Sequence, residues 1–245
     1  MTIRVGTCGW QYDDWREAFY PREVPQNAWL AEYAKTFDTV ECDNAFYRLP
    51  SRETFERWAA VLPDGFTMAV KASRFLTHIK RLKDPQEPVQ RLLDHCGGLG
   101  ARLGPILLQL PPSMKADLGR LEATLGSFAP HVRVAVEPRH ESWWTADLRR
   151  LLESRNAPLV WADRLGKPVA PLWRTADWAY VRLHEGRAHP WPSYGETALR
   201  TWLHRITETW TSSEDVFVYF NNDPGAAAIR NARTLLRMLD RAHAR

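Results

Sequence analysis

The segment Glu137-Pro138-Arg139-His140 places three ionisable side chains directly after an apolar run. A carboxylate here could act as a general base, a guanidinium could clamp an anion, and an imidazole could carry a proton. The same residues could instead form an Arg–Glu ion pair, with the histidine capping the next helix. We expect the first arrangement, in which Glu137 and His140 are catalytic and Arg139 binds the substrate.

Polar residues also end most of the other short apolar runs. Successive side chains of a strand alternate between its two faces, so period two sorts each run into an inward and an outward set. Burying unpartnered charges costs several kcal/mol, and ion-pair networks are a weak source of stability, so we expect a functional rim. The predicted rim consists of Glu41, Asp43, Lys71, Gln109, Glu137, Asp163, Arg182, His184 and Asn221.

The rim residues divide into proton-moving and substrate-binding groups. Glu41 and Asp163 join Glu137 and His140 as catalytic candidates. We expect Lys71 to bind an anion, because nearby carboxylates keep it charged; an amine nucleophile is the alternative. The remaining predicted substrate-binding residues are Arg139, Arg182, Gln109, Asn221, His78 and His184, with Trp10, Tyr47 and Trp143 walling the pocket.

The elements that must position this rim are short apolar runs alternating with segments of helical periodicity. Ser51 and Thr145 are predicted helix caps. Eight such strand–helix repeats without a linker predict one α/β domain over residues 1–245, a single (β/α)8 TIM-type barrel. A doubly wound sheet is the alternative, but Gly6-Thr7-Cys8-Gly9-Trp10 is a poor phosphate loop because of its indole.

Composition narrows the class of protein. A length of 245 residues suits one such barrel, and 44% hydrophobic residues are too many for a disordered chain. Three cysteines without a close pair favour a reducing compartment. Neither a leader segment nor a membrane span is evident, so we expect a cytoplasmic protein with no membrane partner. The net charge of +4 is compatible with an anionic ligand.

Many separated motifs give the chain a family resemblance. It resembles the domain of unknown function family 72, the YecE-like proteins, which implies a (β/α)8 barrel but no established activity. Two departures are Cys8, where the family usually has serine, and Asp43, where it usually has asparagine. The motifs are Gly6-Thr7-Cys8-Gly9-Trp10, Phe19-Tyr20-Pro21, Val40-Glu41, Phe46-Tyr47-Arg48, Val70-Lys71, Thr77-His78, Leu103-Gly104-Pro105, Gln109-Leu110-Pro111-Pro112, Glu137-Pro138-Arg139-His140, Ser142-Trp143 and Tyr219-Phe220-Asn221-Asn222.

The leading hypothesis is an enzyme with hydrolase-like acid–base chemistry on a small anionic or phosphorylated substrate. The basic cluster within residues 71–83 supports a second hypothesis, a nucleic-acid-binding or nuclease-like barrel. A non-catalytic metabolite sensor is a third. A divalent metal is an alternative cofactor, although Lys71 and Arg182 would repel it. A glycosidase carboxylate pair also stays open, and the sequence does not specify the oligomeric state.

Overall fold

The computed structural model describes residues 2–211 and 214–243, and within them nine β-strands form. Each of the eight predicted apolar runs overlaps an observed strand, because β-branched and aliphatic residues buried on both faces favour parallel strands. In chain order the strands are β1 (Thr2–Thr7), β2 (Thr39–Cys42), β3 (Thr67–Lys71), β4 (Leu103–Gln109), β5 (Val134–Glu137), β6 (Trp161–Arg164), β7 (Lys167–Pro168), β8 (Ala179–Leu183) and β9 (Asp215–Phe220).

The strands form two sheets that contact each other at both edges. The sheet orders are β1-β9-β8-β6-β7 and β2-β3-β4-β5, and every pairing is parallel except that of β6 with β7. Gly9 N donates to Glu41 O at 2.8 Å, which joins the end of β1 to β2. Val160 N donates to Val136 O at 2.9 Å, which joins the start of β6 to β5. The predicted α/β class with parallel sheets is therefore confirmed.

Helices connect most of the parallel strands. Both predicted caps are present, since the hydroxyls of Ser51 and Thr145 accept backbone hydrogen bonds from Thr54 and Leu148. Such caps satisfy backbone N–H groups that have no partner within the helix. The helices are α1 (Trp29–Tyr33), α2 (Asn44–Tyr47), α3 (Arg52–Val61), α4 (Gln86–Cys96), α5 (Leu118–Gly126), α6 (Ala146–Ser154), α7 (Glu196–Thr209) and α8 (Ala227–His243). A π-helical turn, Phe75–Ile79, follows β3.

The connection from β6 to β8 departs from the predicted repeat. Residues 164–178 contain no helix and instead fold back through the short strand β7. Leu165 and Gly166, with φ of 52° and 70°, form the two-residue turn between β6 and β7. Paired positive φ values match the twist of a tight hairpin, and Pro168 and Pro171 then oppose a helix. The prediction of eight complete strand–helix repeats is thus wrong at this one connection.

The strands separate two buried layers. The larger apolar cluster fills the space between the sheets and the helices, and it includes Trp10 and Trp143. A smaller cluster lies on the opposite strand faces and includes Ala69, Leu107 and Ala135. The next inward positions toward the carboxyl ends of these strands are Lys71, Gln109 and Glu137, so the interior changes there from apolar to polar. Among the residues that the structure describes, no helix is long and apolar enough to cross a bilayer.

Candidate active site

Arg182, on β8, is the centre of a buried ion network at the strand ends. Its side chain is completely buried, and its two terminal nitrogens donate to Glu137 Oε2 and to Glu41 Oε1, each at 2.7 Å. Both carboxylates are also buried. Moving three charged groups out of water is costly unless their ion pairs have very good geometry. Packing of the interior alone would not require such a network, because apolar side chains could fill the same space.

The surroundings of Glu137 favour its ionised form. Its Oε1 accepts from Arg139 Nη2 at 3.0 Å and lies 3.1 Å from His184 Nε2. Burial by itself would raise the pKa of Glu137, but the guanidiniums of Arg182 and Arg139 outweigh it and hold the pKa well below its usual range. A carboxylate with so low a pKa is a weak general base. The predicted catalytic role of Glu137 stays a prediction.

His184 connects Glu137 to Asn221. The amide nitrogen of Asn221 lies 2.9 Å from His184 Nδ1, which must accept this hydrogen bond. The ring is therefore neutral and its Nε2–H donates to Glu137. Burial lowers the pKa of His184 against the opposing effect of Glu137, which agrees with a neutral ring. Both ring nitrogens are occupied, and the predicted role of His184 in substrate binding stays a prediction.

Glu41 experiences weaker stabilisation of its charge. Tyr180 donates its hydroxyl hydrogen to Glu41 Oε2 at 2.6 Å. Burial raises the pKa of Glu41 to about 7; Arg182 opposes this rise and the negative charge of Asp43 adds to it. At Asp43, burial also favours the neutral form, but Lys71, 3.3 Å away, and Arg182 lower its pKa.

Lys71 and His78 both contact the ring of Phe46. The ammonium of Lys71 lies 4.5 Å from the ring centroid, and the His78 ring meets Phe46 edge to face at 4.9 Å. Thr77 donates its hydroxyl hydrogen to the carbonyl of Ser73, so Thr77 Oγ1 must accept from His78 Nδ1, 2.9 Å away. His78 Nε2 consequently carries the lone pair.

The His78 ring is neutral, and its Nε2 atom is free to form a hydrogen bond. Burial, together with the positive charges of Lys71, Arg139 and Arg74, lowers its pKa. Among the described residues, no group forms a hydrogen bond with its Nε2. An imidazole with a free lone pair beside three cations can accept a proton once an anion neutralises those cations. His78 is therefore a candidate proton acceptor near the strand ends.

A cavity of about 470 Å³ opens beside the network. Such a volume suits a small molecule. Glu137, Arg139 and His184 of the network line it, as does Arg164 at the end of β6. Its lining residues are Pro112, Glu137, Pro138, Arg139, Ala162, Asp163, Arg164, Val169, Ala170, His184, Glu185 and Asn221.

Asp223 belongs to the polar cluster and was missed by the sequence prediction. Its Oδ1 is buried and has no hydrogen-bond partner among the described residues. Burial raises the pKa of Asp223 to about 8, against the lowering effect of Tyr12 and with a contribution from Asp43. The signal available in the sequence was its position two residues beyond Asn221, at the end of an apolar run.

The structure brings together most of the predicted rim, namely Glu41, Asp43, Lys71, Gln109, Glu137, Arg182, His184 and Asn221, with Arg139 and His78 beside it. The prediction that Asp163 points into the interior of the sheets is wrong, although this residue lines the cavity. Its carboxylate accepts from Tyr194 and from Trp202 on α7, and from the backbone N–H of His184 at 3.2 Å. Asp163 therefore anchors the loop that carries His184.

Four further predicted residues lie elsewhere. His140 Nδ1 accepts from Ser142 N at 3.1 Å, so this side chain caps a short helical turn instead of serving Glu137. Trp10 and Trp143 are buried in the apolar core, where Trp143 donates to the Met114 carbonyl, and they do not wall the pocket. Tyr47 is exposed beside a separate surface groove.

A metal ion at this site would compete with Arg182 for the same donor atoms. Cys8, Glu41 and Asp43 offer donor atoms within 4.8 Å of one another. However, Arg182 Nη2 lies 3.5 Å from Cys8 Sγ and already binds Glu41. Burial, followed by the charge of Glu41, raises the pKa of the Cys8 thiol well above its usual value, whereas a metal needs the thiolate. The guanidinium of Arg182 supplies positive charge to these donor atoms, and the divalent metal stays a prediction.

Comparison with known proteins identifies the family. Residues 4–245 match the family described as "Protein of unknown function DUF72". The chain belongs to this family. The family that the sequence motifs indicate is thus confirmed over nearly the whole sequence.

Individual relatives agree with this assignment. The chain is 24% identical over 276 aligned positions to UPF0759 protein YunF of Bacillus subtilis, covering 97% of this chain and 95% of the relative. A crystal structure of a DUF72 family protein from Thermotoga maritima matches with a TM-score of 0.84 and 27% identity, covering 98% and 100% of the two chains. SacUVDE, at 9% identity and a TM-score of 0.60 over 99% of both chains, shares the fold alone.

Proposed function

We propose that this DUF72 member is an acid–base enzyme that acts on a small phosphorylated substrate. In this proposal the two sheets form one closed (β/α)8 barrel, with the cavity at the carboxyl ends of the strands. The backbone hydrogen bonds at both sheet edges support closure. The carboxyl-terminal end is also where barrels of this type hold their active sites.

One observation carries the proposal: an open, neutral imidazole lies among cations that have capacity for a further anion. Arg139 uses Nε and Nη2 on a single oxygen of Glu137, and no residue in the described part of the chain bonds its Nη1. Its side chain is 37% exposed. A phosphate could bind Arg139 and Lys71, and its negative charge would make His78 a stronger base.

The proposed roles follow from these contacts. Arg139 and Lys71 hold the phosphoryl group, and His78 Nε2 takes or returns the proton at the reacting oxygen. Glu137, Arg182, His184 and Asn221 fix Arg139 in position through the buried network, because a guanidinium held by Glu137 loses little freedom when an anion binds.

Phosphate binding and turnover can be tested separately. Inorganic phosphate is expected to raise the melting temperature of the wild type and of Arg149→Ala, a control that removes an exposed arginine paired with Glu153. Arg139→Ala should abolish the shift. In a screen of phosphomonoesters read by phosphate release, His78→Ala should reduce kcat by about 100-fold while it preserves phosphate binding.

The outcomes separate the alternatives. An equal phosphate shift in Arg139→Ala would remove the anion site. Phosphate binding without turnover of any ester would make the protein a binding protein and overturn the enzymatic part of the proposal. Unchanged kcat in His78→Ala would reassign the proton transfer to another group.

A further inference from the structure

A surface with exposed aromatic rings lies next to the candidate active site. Tyr47, at the end of α2, is 74% exposed, and Phe75, on the π-helical turn, is 48% exposed. Ile79 on the same turn is 61% exposed. Large apolar side chains exposed together near a polar cleft commonly indicate a binding surface.

Tyr47 and Phe75 line a shared groove of about 170 Å³. Arg74 and Phe46 also line this groove. Because Phe46 also contacts Lys71 and His78, the groove and the anion-binding side chains share one ring.

The cations of this surface are free to bind a ligand. Arg74 lines the groove, Arg48 follows Tyr47 in the chain, and Lys83 comes four residues after Ile79. In the part of the chain that the structure describes, none of these three makes an ion pair with a carboxylate. On α6, by contrast, Arg149 and Arg150 are both paired with acidic residues of the same helix. Unpaired cations retain their attraction for phosphate groups.

Acidic groups are present but do not cancel this charge. Asp84 faces Lys80 at 3.7 Å, and Glu87 lines the groove together with Arg91. The surface therefore combines flat aromatic rings with unpaired arginines at short spacing. This combination fits a ligand in which flat stacking faces and negative charges alternate at regular intervals.

We propose that the surface formed by Tyr47, Arg48, Arg74, Phe75, Ile79 and Lys83 binds single-stranded nucleic acid. Bases stack on Tyr47 and Phe75, while Arg48, Arg74 and Lys83 contact the phosphates. Exposed rings need unstacked bases, so a duplex is a poorer ligand than a single strand. The proposal is independent of any chemistry in the cavity.

Fluorescence anisotropy with a labelled oligothymidylate of about 20 nucleotides tests this surface. The wild type should bind the single strand more tightly than a duplex of the same length. Raising salt from about 50 to about 200 mM should weaken binding about 20-fold if three phosphates are neutralised. The double variant Tyr47→Ala/Phe75→Ala should bind at least about tenfold more weakly, since two stacked bases are lost.

Charge variants provide the matched control. Arg48→Ala/Arg74→Ala should weaken binding and flatten the salt dependence, whereas Arg149→Ala/Arg150→Ala should change neither. Equal effects of the two double variants would reduce binding to non-specific attraction and overturn the proposal, as would preference for the duplex or absence of binding. Tyr47→Phe should retain affinity, because stacking needs the ring and not the hydroxyl.

Discussion

Glu41 and Glu137 lie on the two outer strands of the four-stranded sheet and bind the same arginine, yet they ionise differently. Both are buried, and each contacts Arg182 at 2.7 Å. For Glu41, burial dominates and raises the pKa to about 7. For Glu137, the same burial is outweighed and the pKa falls well below its usual range.

The difference lies in the number and sign of the other partners. Glu137 has a second guanidinium from Arg139 and an imidazole N–H from His184. Glu41 has a phenol hydroxyl from Tyr180 and a repelling neighbour in Asp43. One strong ion pair therefore does not fix the ionisation of a buried carboxyl; the remaining contacts decide it.

Removing the shared cation should have the largest effect. Arg182→Met leaves both carboxylates buried without their common partner, and we expect the free energy of unfolding to fall by about 3–5 kcal/mol. Urea denaturation at neutral pH measures this change. Arg149→Ala, which breaks an exposed pair, should cost no more than about 0.5 kcal/mol. A loss for Arg182→Met no larger than that of this control would contradict the assigned network.

Neutralising each carboxylate separately sharpens the comparison. Glu137→Gln should destabilise by about 3 kcal/mol, because it removes a charge that two guanidiniums require. Glu41→Gln should cost only about 1 kcal/mol at slightly acidic pH, where Glu41 is already largely protonated. Paired urea titrations of the two variants give the difference. Equal losses would mean that the two carboxyls have the same charge state.

The smallest expected effect is the dependence of folding stability on pH. A carboxyl whose pKa is raised on folding binds a proton that the unfolded chain releases, so stability falls as pH rises toward the folded pKa. With pKa values of about 7 for Glu41 and about 8 for Asp223, stability should decline between pH 6.5 and 8. Histidines with lowered pKa values oppose this trend only below about pH 6.5.

Asp223→Asn isolates this contribution. The variant should show a shallower decline than the wild type, by about 1 kcal/mol across this range, in denaturation midpoints measured at several pH values. Parallel pH profiles of the two proteins would show that Asp223 titrates normally in the folded state. The lowered pKa of Glu137 acts in the opposite window, where stability is lost as pH falls below about 4.3.

The sequence predicted the strands, the caps and most of the inward polar residues, because alternation and cap chemistry are local. The prediction of the orientation of Asp163 was wrong because both faces of β6 carry apolar residues. Val160 and Ala162 face inward while Trp161 packs outward, so composition gives no hint of which face is which. The burial of Trp10 and the raised pKa of Asp223 depend on neighbours distant in sequence, which periodicity cannot identify.

The position of Arg182 has a consequence for how the chain assembles. Both carboxylates that it binds belong to the four-stranded sheet, whereas the arginine belongs to the other sheet. A fragment ending after β5 would bear two acidic groups without their counter-ion, and the remaining fragment would bear a lone buried cation. Neither half is electrostatically complete, so the native interior can be neutralised only when residues from both halves meet.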